Sequence, residues 1–289
     1  MSGNLIILRR RIRTVKNTQK LTKAMKTVSA AKLRRGSAEL NKARPYLRKI
    51  EELLREVIPY LDGAAHPLLQ QKSAGQVILV VVSADKGLCG AFNSHVIKSG
   101  QERFQQLLDQ GQSVDLVTVG TKASRFFAKN NYPIKKSFPS MMSRLTYADT
   151  LPLAEFLQDI FASGSVKAVE FVFTEFVSAS RQQLRRQPVL PLLSDVGPAD
   201  DKTTGAIFEP DAASIFKALL PRYIQGQVYR MLLESVASEQ AARMVAMDLA
   251  TRNASDMIRS LVLVLNKLRQ ASITKELLEI MTATEALQQ

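Results

Sequence analysis

The stretch "VVVSADKGLCGAFN", residues 80–93, decides how the fold is read. An apolar run, Val77 to Val82, leads into a loop holding Gly87 and Gly90, and a helix-like segment follows. Strand, glycine loop, helix is the arrangement in which many α/β proteins cradle a phosphate at a helix N-terminus. The residues here do not complete that pattern. No Gly-x-x-x-x-Gly-Lys-Ser/Thr occurs, and Gly87 and Gly90 make a bare G-x-x-G, not G-x-G-x-x-G. A strand-to-helix turn that needs permissive dihedrals accounts for both glycines. Asp85, Lys86 and Cys89 are then candidates for contact with a partner, and no cofactor is expected. Cys89 as a nucleophile would need a base, for which His95 is the residue to consider.

Outward from this loop, residues 75–195 alternate short β-rich runs with helical ones. "QVILVVVS" reads as strand, 91–110 as helix, "VDLVTVG" as strand, 121–130 as helix, 133–138 as strand, 148–162 as helix and "AVEFVFTEFV" as strand. This alternation predicts a largely parallel sheet. The polar stretch "SDVGPADDKTTG" follows as a loop.

Both flanks are helical. Residues 3–58 have no Pro before Pro45, where a kink is expected. Leu5, Leu8, Ile12 and Val15 step by three and four, as do Leu40, Ala43, Leu47, Ile50, Leu54, Val57 and Leu61, a heptad seam. "SAAK" (29–32) offers small side chains for close approach of another helix. Asp211 is the expected N-cap of the second helix, with a kink or restart at Pro221. About 65 residues from there to Glu285 would span roughly 95–100 Å. Its expected seam is small-sided, through Met231, Ser235, Ser238, Ala242, Val245 and Leu249, then more apolar at Met257, Leu261, Val264 and Leu268. A helix of that length needs another long helix or a surrounding protein to cover it. The fold expected is α/β: a central Rossmann-like domain (75–195) and a long antiparallel coiled coil of the N-terminal (1–60) and C-terminal (211–286) helices, with the globular domain at one end of it.

Composition narrows the function. The 289 residues carry a formal net charge of +14. Residues 1–60 hold 16 Lys/Arg against four Glu, with no acid before Glu39. That suits nucleic acid, anionic lipid or an acidic protein surface. Residues 1–45 contain no aromatic for stacking on single strands, and the cations circle the helix. A solvated charged face and an acidic protein partner therefore stand ahead of nucleic acid. One cysteine and two distant histidines, His66 and His95, give no metal-ligand spacing. His66, before a proline, reads as a loop residue, and Glu276 and Glu279 as helix solvation, not an acid/base pair. The longest aliphatic run is too short to cross a bilayer, and no signal peptide opens the chain.

"RRRIRTVKNTQKLTKAMKTVSAAKLRR" (9–35) resembles the N-terminal helix of the γ subunit of F-type ATP synthases. "SADKGLCGAFN" resembles that family's first strand-to-helix loop, and "YRMLLESVASEQAARMVAMDLATRNASDMI" (229–258) with "LNKLRQASITKELLEI" (265–280) its C-terminal helix. The resemblance implies a non-catalytic rotor: a coiled coil inside a hexamer of three α and three β subunits, and a foot bound to the ε subunit and the c-subunit ring. Proton flow would turn the ring and shaft, driving ATP synthesis or, in reverse, hydrolysis at the β sites. The alternatives are a static coiled-coil adaptor, a basic nucleic-acid-binding protein and a nucleotide-dependent α/β enzyme. By the same resemblance Met25 lies near the lower β loops, which "SADKGLCGAFN" also faces, and Arg269 and Gln270 meet a β "catch" loop. Arg243, Thr274 and Glu276 are coupling positions, and Phe208 and Glu209 lie near the c ring. Ala283 and Thr284 stand where the family usually has Gly-Ala. The single cysteine and the lack of a central insertion imply no thiol regulation. With no transit peptide, the expected location is peripheral, on the cytoplasmic face of a bacterial inner membrane.

Overall fold

A computed structural model describes residues 2–60, 68, 72, 74–192 and 208–287. The elements are α1 (Ser2–Val57), β1 (Gln76–Val82), α2 (Phe92–Asp109), β2 (Val114–Val119), α3 (Thr121–Lys129), β3 (Ile134–Phe138), α4 (Tyr147–Ala162), β4 (Val166–Phe176), β5 (Gln182–Leu190) and α5 (Ala212–Leu287). They form two compact units, residues 30–243 and residues 1–29 with 244–289, so both long helices contribute to both units.

The unit of residues 30–243 is built on a sheet of order β3-β2-β1-β4-β5. β1 pairs parallel with β2 and β4, and β2 with β3, as the α/β alternation predicts. β5 was not expected. It returns antiparallel along β4 through a turn in which Ser178 and Arg181 exchange backbone bonds. β1 is buried on both faces, which is why it reads as an unbroken apolar run. Val77, Leu79 and Val81 meet Val96, Phe104 and Leu107 of α2 and Phe127 of α3. Ile78, Val80 and Val82 belong to the opposite core, with Leu153, Leu157 and Phe161 of α4. That second core also takes Ile50, Leu54 and Val57 of α1 and Phe216, Leu220, Ile224 and Met231 of α5. The heptad seam read at Leu40–Val57 is thus real as a stripe, but its C-terminal half faces the core of the α/β unit. Leu61 and His66 lie outside the described residues, as does the loop 194–205.

In the unit of residues 1–29 and 244–289, the two ends of the chain pair antiparallel. Gln19 Nε2 donates to Ser255 Oγ (2.6 Å), Thr22 Oγ1 bonds Thr251 Oγ1 (2.8 Å), and Lys26 Nζ pairs with Asp248 Oδ1 (2.6 Å). Pro221 lies inside α5 and does not restart the helix. The covered stripe beyond residue 243 runs through Met247, Thr251, Ala254, Ile258, Leu261, Leu265 and Leu268, whereas Val245, Leu249, Met257 and Val264 are exposed. The expected seam holds at Met231, Ser235 and Ser238, which are buried, and at the half-buried Leu261 and Leu268, but fails at Val245, Leu249, Met257 and Val264, which face outward. Asp211 does cap α5: Oδ1 accepts from Ser214 N–H (2.8 Å) and Oδ2 from the Ser214 hydroxyl (2.7 Å).

Candidate partner-contact site

The loop after β1 is held by bonds from four directions. Ser83 continues the ladder, its N–H donating to Val119 O (2.9 Å), while its hydroxyl accepts from Ala123 N–H (2.8 Å). Asp85 Oδ1 accepts from the backbone N–H and hydroxyl of Thr121 at the start of α3 (3.1 and 3.2 Å), and Oδ2 accepts from Ser143 Oγ (2.9 Å). Asn93 Oδ1 accepts from Ala84 N–H (2.9 Å), and its amide donates to Lys86 O (3.3 Å) and Cys89 Sγ (3.1 Å). From α5, Arg243 Nη2 donates to Gly87 O (3.2 Å) and pairs with Glu239 Oε1 (2.6 Å).

This geometry answers whether the loop is a phosphate cradle. In open α/β sheets the ligand crevice lies beyond the carboxyl ends of the strands, where strand order reverses. Here the reversal is between β1 and β4. At β4, Thr174 N–H donates to Ser235 Oγ (3.3 Å) and Ser238 Oγ donates to Thr174 O (3.2 Å). At β1, Ala242 packs on Ala84, Cys89 and Phe92. A helix of the chain itself occupies the place a nucleotide takes in such folds.

Cys89 and Arg243 require correction as direct contacts. Cys89 is 1% exposed, and burial pushes its thiol above the ordinary range. Its sulfur meets Asn93, and the exposed His95 is no partner to it. Arg243 is 8% exposed and turned inward. Burial also raises the Glu239 carboxyl, against the opposing effect of Arg243. What the loop offers outward is Lys86 and Leu88, the latter 65% exposed in a left-handed conformation (φ 61°). Leu88, Asn93 and Glu239 were missed, because one apolar residue in a polar loop and one acid in a long helix carry no sequence signal of their own.

A family model described as ATP synthase matches residues 4–287. The ATP synthase gamma chain of Prosthecochloris aestuarii is 41% identical over 285 residues, covering 97% of each chain. The chain belongs to the ATP synthase gamma-chain family. The gamma chain of Pelotomaculum thermopropionicum is 40% identical, over 97% of this chain and 98% of its own. Among solved structures, the central stalk and c-ring structure of Tetrahymena thermophila mitochondrial ATP synthase contains a chain 25% identical, with a TM-score of 0.59 over 80% of this chain and 99% of that one. The rotor of Euglena gracilis mitochondrial ATP synthase shares the fold, with a TM-score of 0.67 at 18% identity over 94% and 100% of the two chains.

The remaining positions that this family resemblance singles out fall in three places. Met25 is half-buried on α1. Phe208 is partly buried, its ring centroid 5.0 Å from that of Tyr60, beside an exposed Glu209. Arg269, Gln270, Thr274 and Glu276 are all exposed on α5, where Thr274 Oγ1 donates to Gln270 O (3.0 Å) and Glu276 accepts from Ser272 Oγ (3.1 Å). Glu279 pairs with Lys275 at the surface (3.5 Å), so neither glutamate sits in a pocket. Among the described residues, no group of three or more His, Cys, Asp or Glu is placed to hold a metal, and no helix is long and apolar enough to cross a membrane.

Proposed function

We propose that this chain is the central-stalk rotor subunit of an F-type ATP synthase, without catalytic groups of its own. It couples proton flow through the c-subunit ring to ATP synthesis or hydrolysis at the β-subunit sites, with α, β, ε and the c ring as partners. Its place is the cytoplasmic face of a bacterial inner membrane, attached through the c ring. The observation that carries this reading is the end of α5. From Ile273 to Thr282 every residue is exposed, including Ile273, Leu277, Leu278, Ile280 and Met281. These apolar positions fall at i, i+4, i+5, i+7 and i+8, so they form one broad apolar face along the helix end. A contiguous apolar surface of this kind marks an interaction site, and one left uncovered at the end of a long helix calls for an enclosing partner. A hexamer of α and β subunits supplies it. Exposed Arg269 and Gln270, just before that segment, are then contacts for a passing β loop, Thr274 and Glu276 coupling positions beside them, Met25 a contact lower on the shaft, and Phe208 with Glu209 contacts of the foot.

The deciding experiment fixes the chain's α and β partners to a surface, attaches a bead to the chain through its α/β unit, and adds MgATP. Unidirectional rotation that stops when ATP is withdrawn is the expected result. A complex that hydrolyses ATP while the bead stays still would make the chain a static adaptor.

A further inference from the structure

Leu88 sets a problem that the loop alone does not solve. A left-handed backbone is unfavourable for leucine, and an exposed leucine gains nothing from burial to offset it. The shape must be imposed by what grips the loop on either side. Asp85 and Asn93 grip its two ends, and the middle is gripped by α5, through the bond from Arg243 to Gly87 O. Arg243 is in turn aimed by Glu239, one helical turn earlier, and their side chains are only 10% and 6% exposed. A buried ion pair gains little net stability over apolar packing of the same shape. A planar guanidinium with a fixed fork does supply direction.

We propose that Glu239 and Arg243 are positioning residues: together they latch the 83–93 loop onto α5 and so fix how Lys86 and Leu88 are presented to a partner. The latch stands on contacts within residues 30–243. Only the partner half rests on the rotor reading above. The crevice that holds a ligand in other α/β sheets has become the place where the sheet grips its own helix.

The only cysteine in the chain reports on the latch. Cys89 lies under the same contact, packed with Ala84 and Phe92 against Ala242. The thiolate is the reactive form, so burial slows its reaction both by blocking access and by raising the thiol pKa. With dithiobis(nitrobenzoate), the Cys89 thiolate attacks the reagent disulfide, a mixed disulfide forms, and one nitrothiobenzoate thiolate leaves. In the full-length chain, Arg243→Ala is expected to speed this labelling at least ten-fold. Glu239→Gln should speed it less, and Arg243→Lys should restore only part of the protection. Hydrogen exchange at the β1 amides should stay at the wild-type rate, which separates release of the loop from unfolding. Unchanged labelling in a folded Arg243→Ala chain would overturn the latch, as would labelling that rises only in step with β1 exchange. If Arg243→Ala does not fold, Glu239→Gln is judged by the same two criteria. In the assembled complex, Leu88→Ala should slow ATP turnover while Cys89 labelling of the free chain stays at the wild-type rate. Arg243→Ala that speeds labelling yet leaves turnover intact would keep the latch and remove the loop from partner contact.

Discussion

Gly120 shows how tightly single residues are constrained around the loop. Its φ is +88°, and a Cβ there would lie 2.1 Å from Ser83 O, a backbone atom of the neighbouring strand end. Gly120→Ala therefore strains the chain and displaces a strand, and should cost more than about 3 kcal/mol, read as a fall in the urea midpoint. Glu234 carries strain of another kind. It is 4% exposed, Arg230 bonds one carboxylate oxygen (3.3 Å), and Oε2 is buried with no hydrogen-bond partner. Burial holds its pKa above the ordinary carboxylate value, outweighing Arg230. For a raised acid, the stabilising contribution is complete below the unfolded pKa and is lost as pH rises through the folded one. Glu234→Gln should accordingly raise the urea midpoint relative to wild type at neutral pH, and the difference should vanish at about pH 4. At the exposed contact positions the expectation reverses. Arg269→Ala with Gln270→Ala touches no buried group and should leave stability within about 0.5 kcal/mol. A charge-assisted bond to a β loop contributes about 1.5–3 kcal/mol, so turnover of a normally assembled complex should fall at least about ten-fold. Wild-type turnover would take both residues out of coupling.

At the scale of elements, protection should follow burial. β1 is covered on both faces, whereas α5 has no buried residue from Leu261 to Thr282. Helices gain most of their stability from packing, so amide exchange in the free chain should be slow at 77–82 and fast over 265–285. Equal protection would argue that α5 needs no sleeve. The same contrast explains what was legible in the sequence. β1 to β4 and the helices between them follow hydrophobic period, and the structure returns them nearly residue for residue. β5 did not show because "QQLRRQPVL" has two arginines and a proline where a strand signal needs β-branched residues. It is an edge strand, tied by Arg185 to Glu175 (2.7 Å) and by Arg186 to Glu102 (3.2 Å), so its stability comes from ion pairs as well as packing. The seam of α5 was misplaced at Val245, Leu249, Met257 and Val264 because the covered positions there include Thr251, Ala254 and Ser255, while the apolar residues look more core-like and lie outside. Polar layers such as Thr22–Thr251 hold the pairing by hydrogen bonds, which hydrophobic period cannot reveal. Among the site residues, exposure of Lys86 and Arg269 was readable. Burial of Cys89 and Arg243 was not, since it depends on α5 crossing a loop more than 150 residues away in sequence.

For the whole molecule, two surface properties sit badly with a solitary existence: a net charge of +14 and an uncovered apolar segment at the end of α5. Neither stabilises the free chain. Like charges repel, and exposed apolar side chains contribute nothing until they are covered. Both become favourable inside an acidic, apolar-lined sleeve. Replacing Ile273, Leu277, Ile280 and Met281 together with Gln keeps helix propensity nearly level and removes the apolar surface. In the free chain the melting temperature should not move, because no buried contact is lost, and self-association measured by sedimentation should decline. In the complex the same four substitutions should reduce assembly or turnover, since burying each of those side chains contributes about 1.5–3 kcal/mol. Added salt should weaken assembly of both forms by screening the basic surface, which separates the electrostatic contribution from the apolar one. A variant that assembles and turns over like wild type would show that the end of α5 is not seated in a sleeve, and the argument from its exposed surface would fail.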